Sequence, residues 1–448
     1  MPWHGQSAIL ANDGRTAVGG SAHWYASAMQ RLSFTRGLGF QVGLLATMQA
    51  LLLVINVSLI AINGLVGFAL ADNKLLATLP VTGYVLGAAL WAMPAAAVMG
   101  RLGRRRGYTI GAVVMVFGAA GAGFAVLIGS LWLLCLATFV CGTFNAFGIS
   151  YRFAAADVAD AYRPAFRAKA ISLVLAGGIA GGVIGPTLAG WSRGWLPTQY
   201  VGTYLSLGVL AVLSLLLAQL LHLPERSDVP PAGPPRALRE LLRPATPRIA
   251  ILCCAISYGV MNLLMVATPL AMHAHHHDFG AAATVLKWHV IGMFAPGLFT
   301  GTLIVRFGVL PVVFTGCLLN LGAIAVALSG TSTGEFLVAL FLLGVGWNFM
   351  YTGGTTLLTY EYGVHEKNRA QGFADACVFA TMVTSSAASG ALLVADGWQW
   401  LNIVALPFVL IVLVAVVWLG RRRGWRFEQD VGAADLPGTA PVRTVVAD

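Results

Sequence analysis

The segment from Met261 to Met293 reads MNLLMVATPLAMHAHHHDFGAAATVLKWHVIGM, two apolar runs folded back on a short polar connection. Extended to their natural limits, the runs occupy residues 249–272 and 281–304. At about 1.5 Å of rise per residue, each is long enough to cross a hydrocarbon layer roughly 30 Å thick. The hairpin therefore reads as two membrane spans. Met261 and Met265 on the first, and His289 and Met293 on the second, are each spaced i, i+4, which stacks two side chains on one helix face. Counted from a turn near His276, Met265 and His289 reach similar depths, as do Met261 and Met293. The result is an outer and an inner rung. Thioether and imidazole together suit Cu(I), whereas magnesium and calcium take oxygen ligands. Methionine also fills gaps in apolar helices as plain packing. A histidine within a span is a functional-site candidate by default.

Composition extends the reading to the whole chain. Of 448 residues, 58% are hydrophobic and only 10% are charged, and the mean hydropathy is +0.79. A polytopic, all-α membrane protein follows. The 53 glycines let helices approach closely in lipid.

Apolar runs of spanning length fall at 41–68, 76–100, 108–129, 131–156, 170–190, 200–222, 249–272, 281–304, 310–330, 334–358, 371–394 and 399–420, twelve in all. A proline-rich charged stretch, PERSDVPPAGPPRALRELLRPATPR, divides them six and six. The expected organisation is an amino-terminal tail at 1–38, a six-helix bundle at 39–223, a linker at 224–248, a second bundle at 249–422 and a tail at 423–448. No cleavable signal peptide precedes the first span. The segment after Arg426 is expected to be disordered.

With the amino terminus inside, nearly all of the 27 Lys and Arg residues fall on the cytoplasmic side; Lys74 and Arg193 fall outside and Lys287 within a span. That asymmetry orients the chain with both termini in the cytoplasm. It also accounts for the net charge of +10 through topology and anionic lipid, so the charge does not argue for nucleic-acid binding.

The halves echo each other. Gly100-Arg101-Leu102-Gly103-Arg104-Arg105 closes the second span and Val305-Arg306-Phe307-Gly308 the eighth; Arg167-Ala168 precedes the fifth and Arg369-Ala370 the eleventh. A duplicated six-helix unit fits this offset of slightly over 200 residues. These residues resemble the loop signature of the major facilitator superfamily, with Gly100 where its members carry an Asp. The resemblance implies two six-helix bundles that alternate access around a midplane site. Gly182-Val183-Ile184-Gly185-Pro186 with Gly190 is similar to the superfamily's antiporter signature; a glycine packing seam explains the same letters.

Met-x-x-x-Met followed by His-x-x-x-Met is similar to the paired motifs of the CcoA-type copper importers, bacterial relatives that feed copper to assembling cbb3-type cytochrome oxidase. Tyr151-Arg152-Phe153-Ala154-Ala155-Ala156-Asp157 resembles that group as well. The resemblance implies Met261, Met265, His289 and Met293 as copper ligands and an inner membrane location. Riboflavin importers belong to the same wider group.

His273, His275, His276 and His277 with Asp278 crowd the outer mouth of the ladder, either as a copper-capturing cluster or as a solvated loop. Cys253, two turns inward of Met261, is a candidate thiol relay. The six cysteines show neither zinc-finger nor disulfide-scaffold spacing. Lys287 lies about 200° around the helix from His289 and so faces elsewhere. Asp157, Glu361 and Asp375 either carry coupling protons or pair with Arg152, Arg167 and Arg369. No enzyme signature is present: His365-Glu366 lacks a second histidine, and there is no phosphate-binding glycine loop or nucleophile elbow.

The sequence thus reads first as a secondary copper importer, with copper as transported substrate and no prosthetic group. Its expected partners are the lipid bilayer and a periplasmic or cytoplasmic copper chaperone. The first alternative is a major facilitator carrier of an organic solute such as riboflavin, with Trp288, Trp347 and Tyr351 as aromatic contacts. The second is a membrane copper sensor or assembly factor.

Overall fold

The computed structural model describes residues 37–163, 166–223, 237–362 and 366–425. The expected amino-terminal tail, the proline-rich centre of the linker and the chain beyond Trp425 lie outside the described residues.

The first half comprises α1 (Leu38–Leu70), a 3₁₀ turn (Lys74–Leu76), α2 (Leu79–Leu102), α3 (Arg104–Leu127), α4 (Leu131–Gly148), α5 (Tyr151–Tyr162), α6 (Arg167–Ser192) and α7 (Val201–Gln219). After the short α8 (Leu238–Leu241) come α9 (Ala245–Ala274), α10 (Phe279–Phe294), α11 (Gly297–Phe307), α12 (Val309–Ser329), α13 (Thr333–Thr359) and α14 (Lys367–Arg423).

Four expected spans depart from separate straight helices. The fourth is α4 continued by α5 after a break at Ile149-Ser150. The eighth is α10 and α11, bent by 40° where Pro296 cannot donate a helical hydrogen bond. The eleventh and twelfth run together as α14, whose 57 residues would reach about 85 Å, far beyond one bilayer. Gly397, at φ 84°, turns the chain there, so α14 crosses twice. Ten helices among the described residues are long and apolar enough to cross a membrane. Adding the bent pair and dividing α14 restores the twelve expected crossings.

The repeat survives in backbone geometry. Gly103 (φ 83°, ψ 153°) and Gly308 (φ 95°, ψ 161°) hold the same left-handed-side conformation at equivalent turns between spans. A side chain is strained there, which gives the shared glycine its reason.

Turn chemistry closes the opposite face of the molecule, called here the far face because it lies away from the linker. Lys74 Nζ donates to the carbonyls of Phe68 and Ala71, each at 2.7 Å, and so satisfies the end of α1. Asp278 caps α10 through Ala281 N–H at 2.7 Å, and Ser332 with Glu335 forms a capping box on α13. The outer surface is apolar, with Met93, Phe117, Trp132, Val209, Val305 and Val414 all exposed, as lipid contact requires.

The two halves meet on this far side. Thr78 Oγ1 donates to Ser386 O at 3.0 Å, Gly390 N–H donates to Thr78 Oγ1 at 3.2 Å, and Thr82 Oγ1 donates to Ser386 Oγ at 3.2 Å, joining α2 to α14. Phe279 at the start of α10 sits 5.0 Å beneath the Arg193 guanidinium and 6.4 Å from the Tyr200 ring. Removing the α2–α14 latch with Thr78→Val and Ser386→Ala is expected to cost about 1 kcal/mol per hydrogen bond, roughly fivefold each in the closed-to-open ratio. Labelling of buried far-side positions by a membrane-impermeant thiol reagent measures the shift; unchanged accessibility would count against a latch.

Candidate functional site at the junction of the halves

The core of the first half continues across the junction to take in Met261, Met265, Val290, Met293 and Trp347 from the second. The expected ladder residues are all buried: Met261 at 2% exposure, Met265 and Met293 at 7% and His289 at 0%. The three methionine side chains face one apolar cluster.

His289 is oriented differently. Its Nδ1 lies 2.7 Å from the Leu340 carbonyl of α13, inside the second half. A carbonyl only accepts, so Nδ1 carries the hydrogen and Nε2 is left as a bare lone pair. That Nε2 is buried with no hydrogen-bond partner.

The flanking candidates disperse. Cys253 packs in the separate core of the second half, within electrostatic reach of Cys317, and not in the cluster that holds Met261. The relay expected from it is displaced because a separation of eight residues on a helix turns a side chain by about 80°. Cys254 instead packs against α13 within the second half, with its thiol 3.7 Å from Thr355 Oγ1. His277 spends both ring nitrogens on the α12–α13 turn, Nε2 at 2.7 Å from Thr331 O and Nδ1 at 3.2 Å from Thr333 Oγ1. His273, His275 and His276 remain exposed and line a cavity of about 500 Å³ with Phe68, Gly397 and Trp398. Among the described residues, no three His, Cys, Asp or Glu side chains come close enough to share a metal ion. Lys287 is half-buried on the flank of α10 away from His289.

Two of the acidic candidates are paired on the linker side, each within its own half. Asp157 meets Arg104 at 2.7 Å, not Arg152, and Glu361 meets Arg423 at 3.4 Å. Asp375, two turns into α14, is exposed.

A feature that spacing alone did not assemble occupies the middle of the junction. Trp347 and Tyr351, one turn apart on α13, lie stacked with ring centroids 5.4 Å apart and planes 9° from parallel. Tyr258 of α9 meets both rings edge-on, at 5.0 and 4.8 Å, and Phe294 of α10 stands 6.2 Å from Trp347. The indole N–H of Trp347 is buried without an acceptor. Tyr258 and Phe294 are the members that sequence reasoning missed; their signals were an aromatic one turn before Met261 and one directly after Met293. Trp288, an expected aromatic contact, is excluded: it is 46% exposed on the outer surface, against Phe341.

The Gly182–Gly190 stretch packs on both sides. Ser58 Oγ donates to Gly185 O at 2.8 Å, a Cβ on Gly181 would lie 2.6 Å from Leu53 Cβ of α1, and Gly182 abuts Val290 of α10.

The sequence profile of the Major Facilitator Superfamily matches residues 42–286 and 249–435, covering both halves. The chain belongs to the major facilitator superfamily. Among relatives of this superfamily member, the riboflavin transporter RfnT of Brucella anthropi is 36% identical over 361 residues, 80% of this chain and 90% of that protein. The MFS-type transporter YdeG of Bacillus subtilis is 26% identical over 376 residues, 80% of this chain and 87% of that one. In three dimensions the chain resembles the nucleoside transporter NupG with a TM-score of 0.69 at 14% identity, covering 86% of this chain and 100% of that one. A bacterial homologue of the lysosomal transporter Spinster gives 0.65 at 16% identity, covering 86% and 97%. These likenesses establish a multi-pass membrane transporter with the superfamily fold.

Proposed function

We propose that this chain is a secondary importer of a flat, aromatic organic solute, a flavin such as riboflavin, across a bacterial inner membrane with both termini in the cytoplasm. The observation that carries the reading is the aromatic wall of Trp347, Tyr351, Tyr258 and Phe294 at the junction of the halves, where alternating access exposes a site to each side in turn. Ring faces of this kind hold a planar heterocycle by stacking, and the unpartnered indole N–H supplies a directed donor. The 36% identity to a protein named as a riboflavin transporter supports the same class.

Copper is the second reading, favoured by one specific feature. His289 presents a bare, buried Nε2 whose Nδ1 is anchored on a backbone carbonyl, the arrangement that orients a metal-binding imidazole. Three thioethers share the junction nearby. The named relative ranks this reading behind the flavin, because the copper resemblance rests on the paired four-residue motif and the short segment Tyr151–Asp157, and the flavin relative on 80% of the chain.

One experiment tests both. A riboflavin-auxotrophic bacterium lacking its own carrier, expressing this chain, is expected to accumulate radiolabelled riboflavin saturably, with copper content unchanged. Growth only at the riboflavin concentrations needed by the empty host would overturn the flavin reading. Copper accumulation that vanishes in His289→Leu would establish the second.

A further inference from the structure

The eighth span is broken beside the aromatic wall, and one side chain of the neighbouring helix bridges the break. Phe294 ends α10, Gly297 begins α11, and the two helices meet at 40° around Pro296. Asn348, which follows Trp347 on α13, is buried. Its Nδ2 donates to the Met293 carbonyl at 2.7 Å, on the α10 side of the break. Thr300, on the α11 side, directs its hydroxyl at Asn348 Oδ1, 2.7 Å away, with the Pro296 carbonyl at the same distance as an alternative acceptor. Thr300 and Ile304 are the two buried residues of α11, so the bridge is its polar anchor to the rest of the second half.

The bridge has a physical cause. Within a bilayer a backbone carbonyl released from its helix finds no water, and it costs free energy until a neighbouring group donates to it. A carboxamide donates and accepts at once, so a single Asn can satisfy a carbonyl on one side of a break and hold a hydroxyl on the other. The same bridge fixes where α10 ends. Phe294, the residue after Met293, carries the ring that stands 6.2 Å from Trp347, the residue before Asn348. The separation of these two rings is therefore set by the hydrogen bond between their immediate neighbours in the chain. Both ends of the amide are spent on this bond pair, which leaves Asn348 nothing to offer a solute.

We propose that Asn348 is a positioning residue for transport: by bridging the two sides of the break it holds Phe294 at its place against Trp347, and so sets the ring surface on which the solute lies without touching the solute itself. The inference rests on the flavin reading of the wall. It gives the break in the eighth span a role in substrate affinity, because a straight helix satisfies its own carbonyls and would leave α13 no hold on the end of α10.

Saturation kinetics of radiolabelled riboflavin uptake by the full chain in cells, normalised to folded protein in the membrane, test it. Asn348→Ala is expected to raise the half-saturating concentration about tenfold, the loss of one hydrogen bond whose acceptor stays buried, with the maximal rate within about twofold of wild type. Phe294→Ala is expected to raise it about fivefold. The double variant is expected to stay within about twofold of Asn348→Ala alone, because one residue acts through the other, whereas independent effects would multiply to about fiftyfold. Where Asn348→Ala yields no folded protein, Thr300→Val, which removes only the hydroxyl arm, is combined with Phe294→Ala and read in the same way, starting from a rise of about threefold. Effects that multiply, a maximal rate that falls at unchanged half-saturation, or wild-type kinetics in the bridge variant would each overturn the positioning role and leave the flavin reading standing. A wild-type chain that carries no riboflavin would overturn the flavin reading itself, before any variant is compared.

Discussion

Trp347→Ala is expected to lower flavin uptake by about tenfold or more while leaving the amount of folded protein in the membrane nearly unchanged. Trp347 is 5% exposed and holds ring contacts with Tyr351, Tyr258 and Phe294. Each aromatic pair contributes about 0.5–1.5 kcal/mol beyond burial, so the indole orders the whole wall as well as offering its own face. Its loss frees Tyr258 and Tyr351 to turn, and the half-saturating concentration should rise before the maximal rate falls. Trp347→Phe keeps a ring but not the N–H, and is expected to recover most of the stacking and none of the hydrogen bond. Initial-rate uptake over a range of riboflavin concentrations separates the two. Wild-type kinetics in Trp347→Ala would exclude the wall as the binding surface.

Gly182→Val is expected to abolish transport without unfolding the protein, whereas Gly181→Val is expected to destabilise it. The two glycines are neighbours on α6 and face different partners. A Cβ on Gly181 meets Leu53 Cβ at 2.6 Å and Val54 N at 3.1 Å, within the first half, where α1 and α6 pack permanently. Overpacking such a contact costs about 1–3 kcal/mol or more. A Cβ on Gly182 meets the Val290 side chain of the opposite half. That contact crosses between the halves, which alternating access would part, so the added bulk leaves the packing within each half intact and obstructs their closure. Size-exclusion profiles in mild detergent alongside uptake check both outcomes. A monodisperse Gly182→Val protein with normal uptake would show that the α6–α10 contact is not part of the cycle.

Much of the architecture was legible in the sequence, because a bilayer forces it. Runs as apolar as 41–68 or 334–358 can satisfy their backbone groups in lipid only as helices, so counting runs counts crossings. The breaks were harder to see. The gap between the runs 371–394 and 399–420 located the turn of α14 at Gly397, but nothing in the hydropathy of 131–156 or 281–304 shows the break at Ile149-Ser150 or the 40° bend at Pro296, since these depend on backbone geometry and not on polarity. The glycines of α6 were recognised as a packing seam, yet periodicity alone did not reveal that Gly181 and Gly182 serve different halves.

The candidate site was legible only in part. The i, i+4 spacing placed Met261 with Met265 on one face, and the structure buries both in one cluster, because spacing along one helix is local geometry. Of the three aromatic residues expected to contact an organic solute, Trp347 and Tyr351 stand together at the junction, whereas the structure turns the Trp288 ring toward the outer surface. Whether a span's apolar face looks at lipid or at protein cannot be read from hydropathy when both surroundings are equally apolar.

The sequence by itself determined twelve crossings, their duplication and the chemistry each helix can present, since these follow from composition and from angles along a single helix. Only the tertiary structure decided that Tyr258 joins Trp347 and Tyr351, that His289 is held by α13, and that Asp157 belongs to Arg104. Each of those facts joins residues on different helices. In an apolar solvent the relative rotation of two helices is set by how their surfaces interlock, which no stretch of one chain segment records alone.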